Sequence, residues 1–213
     1  MMQELDVQWL SDEIIEKAAW DFLIRRGAES ALPVDVELIV EELGFDIIPI
    51  PNLQRSIEVE GFCTSDFTRI YVDEGVMINT PVRYRFTLAH ELGHFVLHKD
   101  IYESIKVTSV VDWKKMQMAL DETSYQRVEF QGYYFAGFLL VPEKHLDQQF
   151  NKYLPKVNSL ATQAKAHGIP KINYLEHAVD RMASLLAPVF NVSSDVMVRR
   201  IFKSRLNLTE RID

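Results

Sequence analysis

Residues 80–98 read TPVRYRFTLAHELGHFVLH, and the fold and the chemistry are both read outward from this stretch. Thr80 and Pro81 suit the cap and first turn of a helix. Phe86, Leu88, Ala89, Leu92, Phe95 and Val96 give it apolar flanks, so a helix is expected to run to about residue 98. On that helix His90 and His94 are one turn apart and leave from the same face, which brings two imidazole nitrogens near one metal ion. Such a pair supplies two of the three protein ligands usual at a catalytic zinc, with a position left open for water. Glu91 lies beside them as a carboxylate able to take that water's proton. A His-Glu-x-x-His match arises by chance about 0.01 times in a chain of this composition. The competing reading, two core histidines satisfied by neighbours, is disfavoured by the capped, apolar-flanked helix that carries the pair.

A third ligand has to come from elsewhere. Asp100 lies six residues past His94, but a ligand there needs a sharp reversal, normally made by glycine three residues after the second histidine; this chain has Leu97. Asp100 therefore reads as a surface acid. His98 continues the same face, yet a straight helix sets it roughly 12 Å from His90, too far to share a metal with both others. It reads as a packing residue or a supporter of the ligands. Glu129 is the better candidate, because Gly132, Tyr133 and Ala136 follow it on one helical face and small neighbours permit close approach. Gly93 costs its helix roughly 1 kcal/mol relative to alanine, and a second helix crossing close above it would explain its presence. A solvated helix acid is the plainer alternative for Glu129.

The 213 residues suffice for one compact domain with a substantial core, or for a core domain plus a small helical appendage, and 47% apolar with 25% charged residues is ordinary for a globular chain. A net charge of -8 opposes a general nucleic-acid footprint. The one cysteine, Cys63, has no intrachain partner and reads as a small buried apolar residue in a reducing compartment. Residues 1–10 lack the basic start and apolar run of a secretory signal, and no apolar run reaches the roughly 20 residues of a membrane span. A soluble, cytoplasmic protein is expected. The glycosylation patterns at Asn191 and Asn207 are then chance matches.

Around the central helix, periodicity predicts helices over 11–26 and 35–43, the second capped by Asp35 and stopped by Gly44. A strand is expected over 45–50, and two strands or a hairpin over 57–72. Residues 99–120 read as an irregular connection, helical at most over 112–120. A long helix over 123–140 has to end before Pro142. Helices are expected over 159–166, 173–190 and 195–203.

Arg85-Phe86-Thr87-Leu88-Ala89-His90-Glu91-Leu92-Gly93-His94 through His98 resembles the ImmA/IrrE family of metallo-endopeptidases. Leu32-Pro33-Val34-Asp35 to Leu43-Gly44-Phe45 is similar to that family's N-terminal helices, and Gly61 with Ile70-Tyr71-Val72 to the strand before its zinc helix. Glu129 and Phe135-Ala136-Gly137-Phe138-Leu139-Leu140-Val141-Pro142 resemble its glutamate-ligand helix and closing proline. With the tail over 188–201, the likeness covers about residues 12–203. The chain departs at Gly132-Tyr133, where the family has alanine then asparagine.

The resemblance implies a small zincin-like α+β fold: a metallopeptidase core over 1–145 with a small antiparallel or mixed sheet, and a C-terminal helical region over 146–213, in a single folding unit. It implies a gluzincin-like zinc endopeptidase, with Zn2+ held by His90, His94 and Glu129 and with Glu91 as catalytic base. The implied substrate is a specific intracellular protein, a helix-turn-helix transcriptional repressor, cleaved in stress response or in phage or mobile-element regulation. The chain shows no helix-turn-helix domain of its own at the N-terminus, so any repressor is expected to be a separate partner, with no direct nucleic-acid or membrane contact.

The expected chemistry is attack of zinc-activated water on a peptide carbonyl, Glu91 carrying the proton to the leaving amine. Tyr133, Tyr134 and His145 are open candidates for an oxyanion donor. Residues 69–72 form either a plain core strand or an edge along which an extended substrate adds. The competing function is a catalytically silent zinc-binding regulatory module that associates with a repressor; retention of Glu91 speaks against it. Manganese or iron could also occupy such a ligand set. Arg199, Arg200, Lys203 and Arg205 are read as a solvated helix end in preference to a nucleic-acid contact.

Overall fold

In the computed structural model, which describes residues 7–104, 106–119 and 121–211, the first helix α1 (Asp12–Arg26) buries Ile15, Ala19, Phe22 and Leu23 along one stripe. Gly27 ends it at φ 65°, where its N–H and that of Ala28 reach back to Ile24 and Leu23. Helix α2 (Val36–Glu42) starts as expected at Asp35, whose carboxylate accepts the Leu38 N–H.

Strands β1 (Asp46–Ile50), β2 (Gly61–Cys63) and β3 (Arg69–Asp73) form one mixed sheet in the order β1-β3-β2. β1 runs parallel to β3, with Ile48 opposite Tyr71, and β2 runs antiparallel to it, with Phe62 opposite Tyr71. β3 is thus paired on both sides. The edge role offered above for residues 69–72 is thereby excluded, and the edges of the sheet are β1 and β2.

Two short helices were not legible in the sequence. Helix α3 (Leu53–Ile57) is bounded by Asn52 and Glu58, both left-handed, and α4 (Glu74–Asn79) follows β3 directly. Neither is long enough to show a period. A single residue anchors both: Asp73 accepts the Gln54 N–H at 2.9 Å and the Val76 N–H at 3.0 Å. These backbone donors outweigh the penalty of its burial and hold its carboxyl below the usual range.

Helix α5 (Pro81–Leu97) is the predicted central helix, packed on β2 and β3. Residues 99–104 form α6 (Lys99–Ser104), a correction to the irregular connection expected there, and α7 (Val110–Ala119) supplies Trp113 and Met116 to a cluster with Leu53, Ile57, Phe62 and Val107. Residue 120, the last of the helix expected over 112–120, lies outside the described residues. Helix α8 (Glu122–Leu140) lies against both α5 and α1, burying Phe135, Ala136 and Leu139. Each large side chain so buried contributes about 1.5–3 kcal/mol, which isolated helices in water lack.

One compact unit ends at Leu140 and a second begins at Val141. The second unit is helical: α9 (Glu143–Ala166), α10 (Lys171–Phe190), α11 (Ser194–Phe202) and α12 (Leu208–Arg211), with α10 packed on α9 and α11. Helix α9 begins sixteen residues before the helix expected over 159–166 and carries Pro155 in its interior, its buried stripe of Leu146, Phe150, Val157 and Ala161 continuing on both sides. It also runs unbroken through residues 145 and 146, where the sequence placed a boundary. Arg200 is buried, not part of a solvated helix end; it donates to the Val141 carbonyl at 2.9 Å and to Glu143 at 2.6 Å. The α+β class, the small sheet and the C-terminal helices are as expected. Among the described residues no helix is long and apolar enough to cross a membrane.

Candidate metal centre

One turn of α5 separates His90 from His94, and their Nε2 atoms stand 2.9 Å apart. Glu129, from α8, faces both: its carboxylate oxygens lie 3.2 Å from His90 Nε2 and 3.8 Å from His94 Nε2. Two imidazole nitrogens and a carboxylate from two packed helices therefore converge on one point. His94 is 2% exposed, while the Glu129 side chain is 35% exposed, so the point is closed from within and open from one side.

The helices come this close because each carries a glycine at the crossing. A Cβ on Gly93 would stand 3.0 Å from Gly132 Cα and 3.1 Å from Gly132 O, and one on Gly132 would stand 3.0 Å from His94 Cε1. Gly132 is where the chain departs from the ImmA/IrrE pattern, and here it leaves room for the imidazole rings themselves.

Glu91 is held from the β2 side. With Asp73 bonded to Glu60 and Thr64 to Arg69, the alternation of the β2–β3 ladder points the main-chain groups of Gly61 and Cys63 away from β3. The Cys63 N–H donates to Glu91 Oε2 at 2.8 Å. Donor atoms of His90, Glu91 and His94 all lie within 4.8 Å of one another. Of the two carboxylates, Glu129 spans both imidazoles and fits a ligand, whereas Glu91 is bound by the strand and fits a base. Burial lifts the Glu91 carboxyl to about 7, against the pull of His90 and of the Cys63 N–H.

The imidazoles differ as well. Burial lowers His90, but Glu129 outweighs it, and the net shift is upward. His94 is pushed well down by burial and by its two histidine neighbours, so it stays neutral with a lone pair to offer. The donor set of two nitrogens and one carboxylate oxygen fits a borderline metal ion such as zinc.

Other residues named from the sequence lie elsewhere. Asp100 is exposed on α6, Tyr133 packs on Phe86 with ring centres 4.9 Å apart, and His145 belongs to the second unit. Tyr102, Gln131 and the Cys63 N–H were missed. The Tyr102 ring stacks on His94 at 5.3 Å and is buried. A tyrosine one turn beyond His98 could have been flagged, but no sequence signal marks a main-chain N–H.

A peptidase family profile, described as the IrrE N-terminal-like domain, matches residues 41–202. Among solved structures, a Mycobacterium tuberculosis transcriptional regulator is similar at a TM-score of 0.50 and 16% identity, over 94% of this chain and 50% of that one. The chain thus spans about half that regulator's length, and the likeness speaks for the fold alone. None of the curated proteins matches the chain.

Proposed function

The chain belongs to the peptidase family of IrrE N-terminal-like domains, and from that we propose that it is a zinc-dependent endopeptidase acting in the cytoplasm on a specific protein, a helix-turn-helix transcriptional repressor. The observation that carries the reading is the division of labour between two carboxylates: Glu129 against both imidazoles, Glu91 held apart by the Cys63 N–H.

In this reading His90, His94 and Glu129 hold the metal. Zinc bound there acidifies water toward about 7 and polarises a carbonyl. Glu91 takes one proton from water as its oxygen adds to the scissile carbon, and returns that proton to the amine nitrogen as the C–N bond breaks. In the metal-free chain burial already lifts that carboxyl to about 7. The Cys63 N–H keeps the carboxylate oriented while it moves the proton.

Elemental analysis of wild type and Glu129→Ala, with cleavage of a repressor encoded beside the gene assayed on both and on Glu91→Gln, tests the reading. One zinc per chain, weakened by Glu129→Ala, with cleavage abolished by Glu91→Gln at full zinc content, is the expected outcome. Zinc binding with the repressor bound but uncut would favour the silent regulatory module, and a chain that takes up no metal would refute both.

A further inference from the structure

His98 is the C-cap of α5 and is 2% exposed. Its Nδ1 stands 3.0 Å from His94 Nδ1 and its Nε2 stands 2.8 Å from Gln131 Oε1. The Gln131 amide in turn donates through Nε2 to the main-chain carbonyl of Gln8 at 2.8 Å. Four groups form a line that ends on the candidate metal ligand, and each link holds one proton.

The direction of every proton follows from the far end. A backbone carbonyl only accepts, so Gln131 has to turn its NH2 toward Gln8 and its oxygen toward His98. The reversed amide would set two oxygens 2.8 Å apart. An oxygen facing His98 Nε2 demands a proton on that nitrogen. His98 is 2% exposed and its two ring nitrogens face an amide oxygen and an imidazole, with no carboxylate bonded to the ring to hold a second proton, so it is neutral. Its Nδ1 is then bare and accepts from His94, which places the His94 proton on Nδ1 and leaves Nε2 unprotonated, facing His90 and Glu129.

We propose that Gln131 and His98 are positioning residues: anchored on the Gln8 carbonyl, they lock His94 into its Nδ1–H tautomer and hold its Nε2 lone pair in the metal-binding direction. The tautomer lock stands on its own geometry, while its consequence for metal rests on the functional reading above. The anchor is itself held. Arg127 donates to the Val7 carbonyl at 3.1 Å and Trp9 stacks on Phe130 at 5.3 Å, so three successive residues of the N-terminal arm are fastened to α8. Without the relay, His94 is free to carry its proton on Nε2, inside the site, and that proton has to leave before a metal can bind.

The test is long-range 1H–15N correlation on 15N-labelled, metal-free protein, read beside zinc affinity from competition with a chromophoric chelator. In wild type, His94 is expected as Nδ1–H and His98 as Nε2–H. Gln131→Met, close in length and unable to accept or donate these bonds, is expected to scramble both patterns and weaken zinc binding about 10–100-fold, with the circular dichroism spectrum unchanged. His98→Phe, which fills the site but offers His94 no acceptor, is expected to weaken zinc to a similar degree. A wild-type His94 protonated on Nε2, or a folded Gln131→Met that binds zinc as tightly as wild type, overturns the proposal. A wild type that binds no zinc but shows His94 as Nδ1–H sinks the metal reading alone and leaves the lock standing.

Discussion

Gly93 is a position where two physical effects oppose each other. Alanine is favoured over glycine inside a helix by about 1 kcal/mol. Its Cβ, however, would meet Gly132 main chain at 3.0–3.1 Å, and backbone in the middle of a helix cannot swing aside. Overpacking of this kind costs typically about 1–3 kcal/mol. Gly93→Ala is therefore expected to lower the urea midpoint of the metal-free protein and to weaken zinc binding; a variant more stable than wild type would mean that the helices do not cross this closely. At Glu91 the sign can be worked out from its elevated value. The unfolded carboxyl titrates near 4.3 and the folded one at about 7, so the native chain holds the extra proton between them. The stability this confers is complete below the unfolded value and is lost as pH rises through 7. Glu91→Gln keeps the site neutral at every pH. In metal-free protein its advantage over wild type is expected to grow from about pH 4.5 to pH 8, by about 3 kcal/mol; a gap independent of pH would show that Glu91 titrates normally.

Short elements depend on single side chains more than long ones do. Helices α3 and α4 share Asp73, and each capping bond of this kind is worth about 0.5–2 kcal/mol. Asp73→Ala is expected to cost about 1–4 kcal/mol in chemical denaturation and to raise amide exchange over residues 53–57 and 74–79 together. Exchange rising in only one of them would mean that the carboxylate does not couple the two. The long elements tell a different story. Helices α1, α5 and α8 were readable because their apolar stripes repeat over four or more turns, whereas α3, α4 and α6 are too short to establish a period. Helix α9 was misread for another reason. Pro155 looks like a terminator, yet Leu146, Phe150, Val157 and Ala161 keep one buried stripe on both sides of it.

Across the whole chain, α8 ends at Leu140 and α9 begins at Glu143, leaving two residues between the last helix of one unit and the first of the other. We expect them to unfold together, in one calorimetric transition at the same temperature by fluorescence and by circular dichroism. Two resolved transitions would show that each unit folds alone. Metal binding adds stability by mass action, about 2.7 kcal/mol at a free zinc concentration one hundred times its Kd. For a chain of this size that corresponds to about 5–10 °C in Tm. Chelation is expected to remove that increment in wild type and to leave Glu129→Ala almost unmoved; an equal shift in both would place the third ligand elsewhere.

What the sequence determined alone is whatever depends on spacing within one element. His90, Glu91 and His94 share a helix, so a rise of 1.5 Å and a rotation of 100° per residue already place the two imidazoles side by side. The N-cap at Asp35 and the end of α8 before Pro142 are local in the same sense. Tertiary structure decided everything that joins elements distant in the chain. Glu129 was singled out from the sequence, but only the crossing of α8 over α5 at Gly93 and Gly132 sets its carboxylate against both imidazoles, and the glycines had meaning only as a pair. The Cys63 N–H that holds Glu91 and the Gln8 carbonyl that orients Gln131 are main-chain groups, present at nearly every position and so invisible to any reading of residue type. A helix repeats its geometry at every turn, whereas which main-chain group meets which side chain is settled only when the apolar faces of α1, α5 and α8 close on one another.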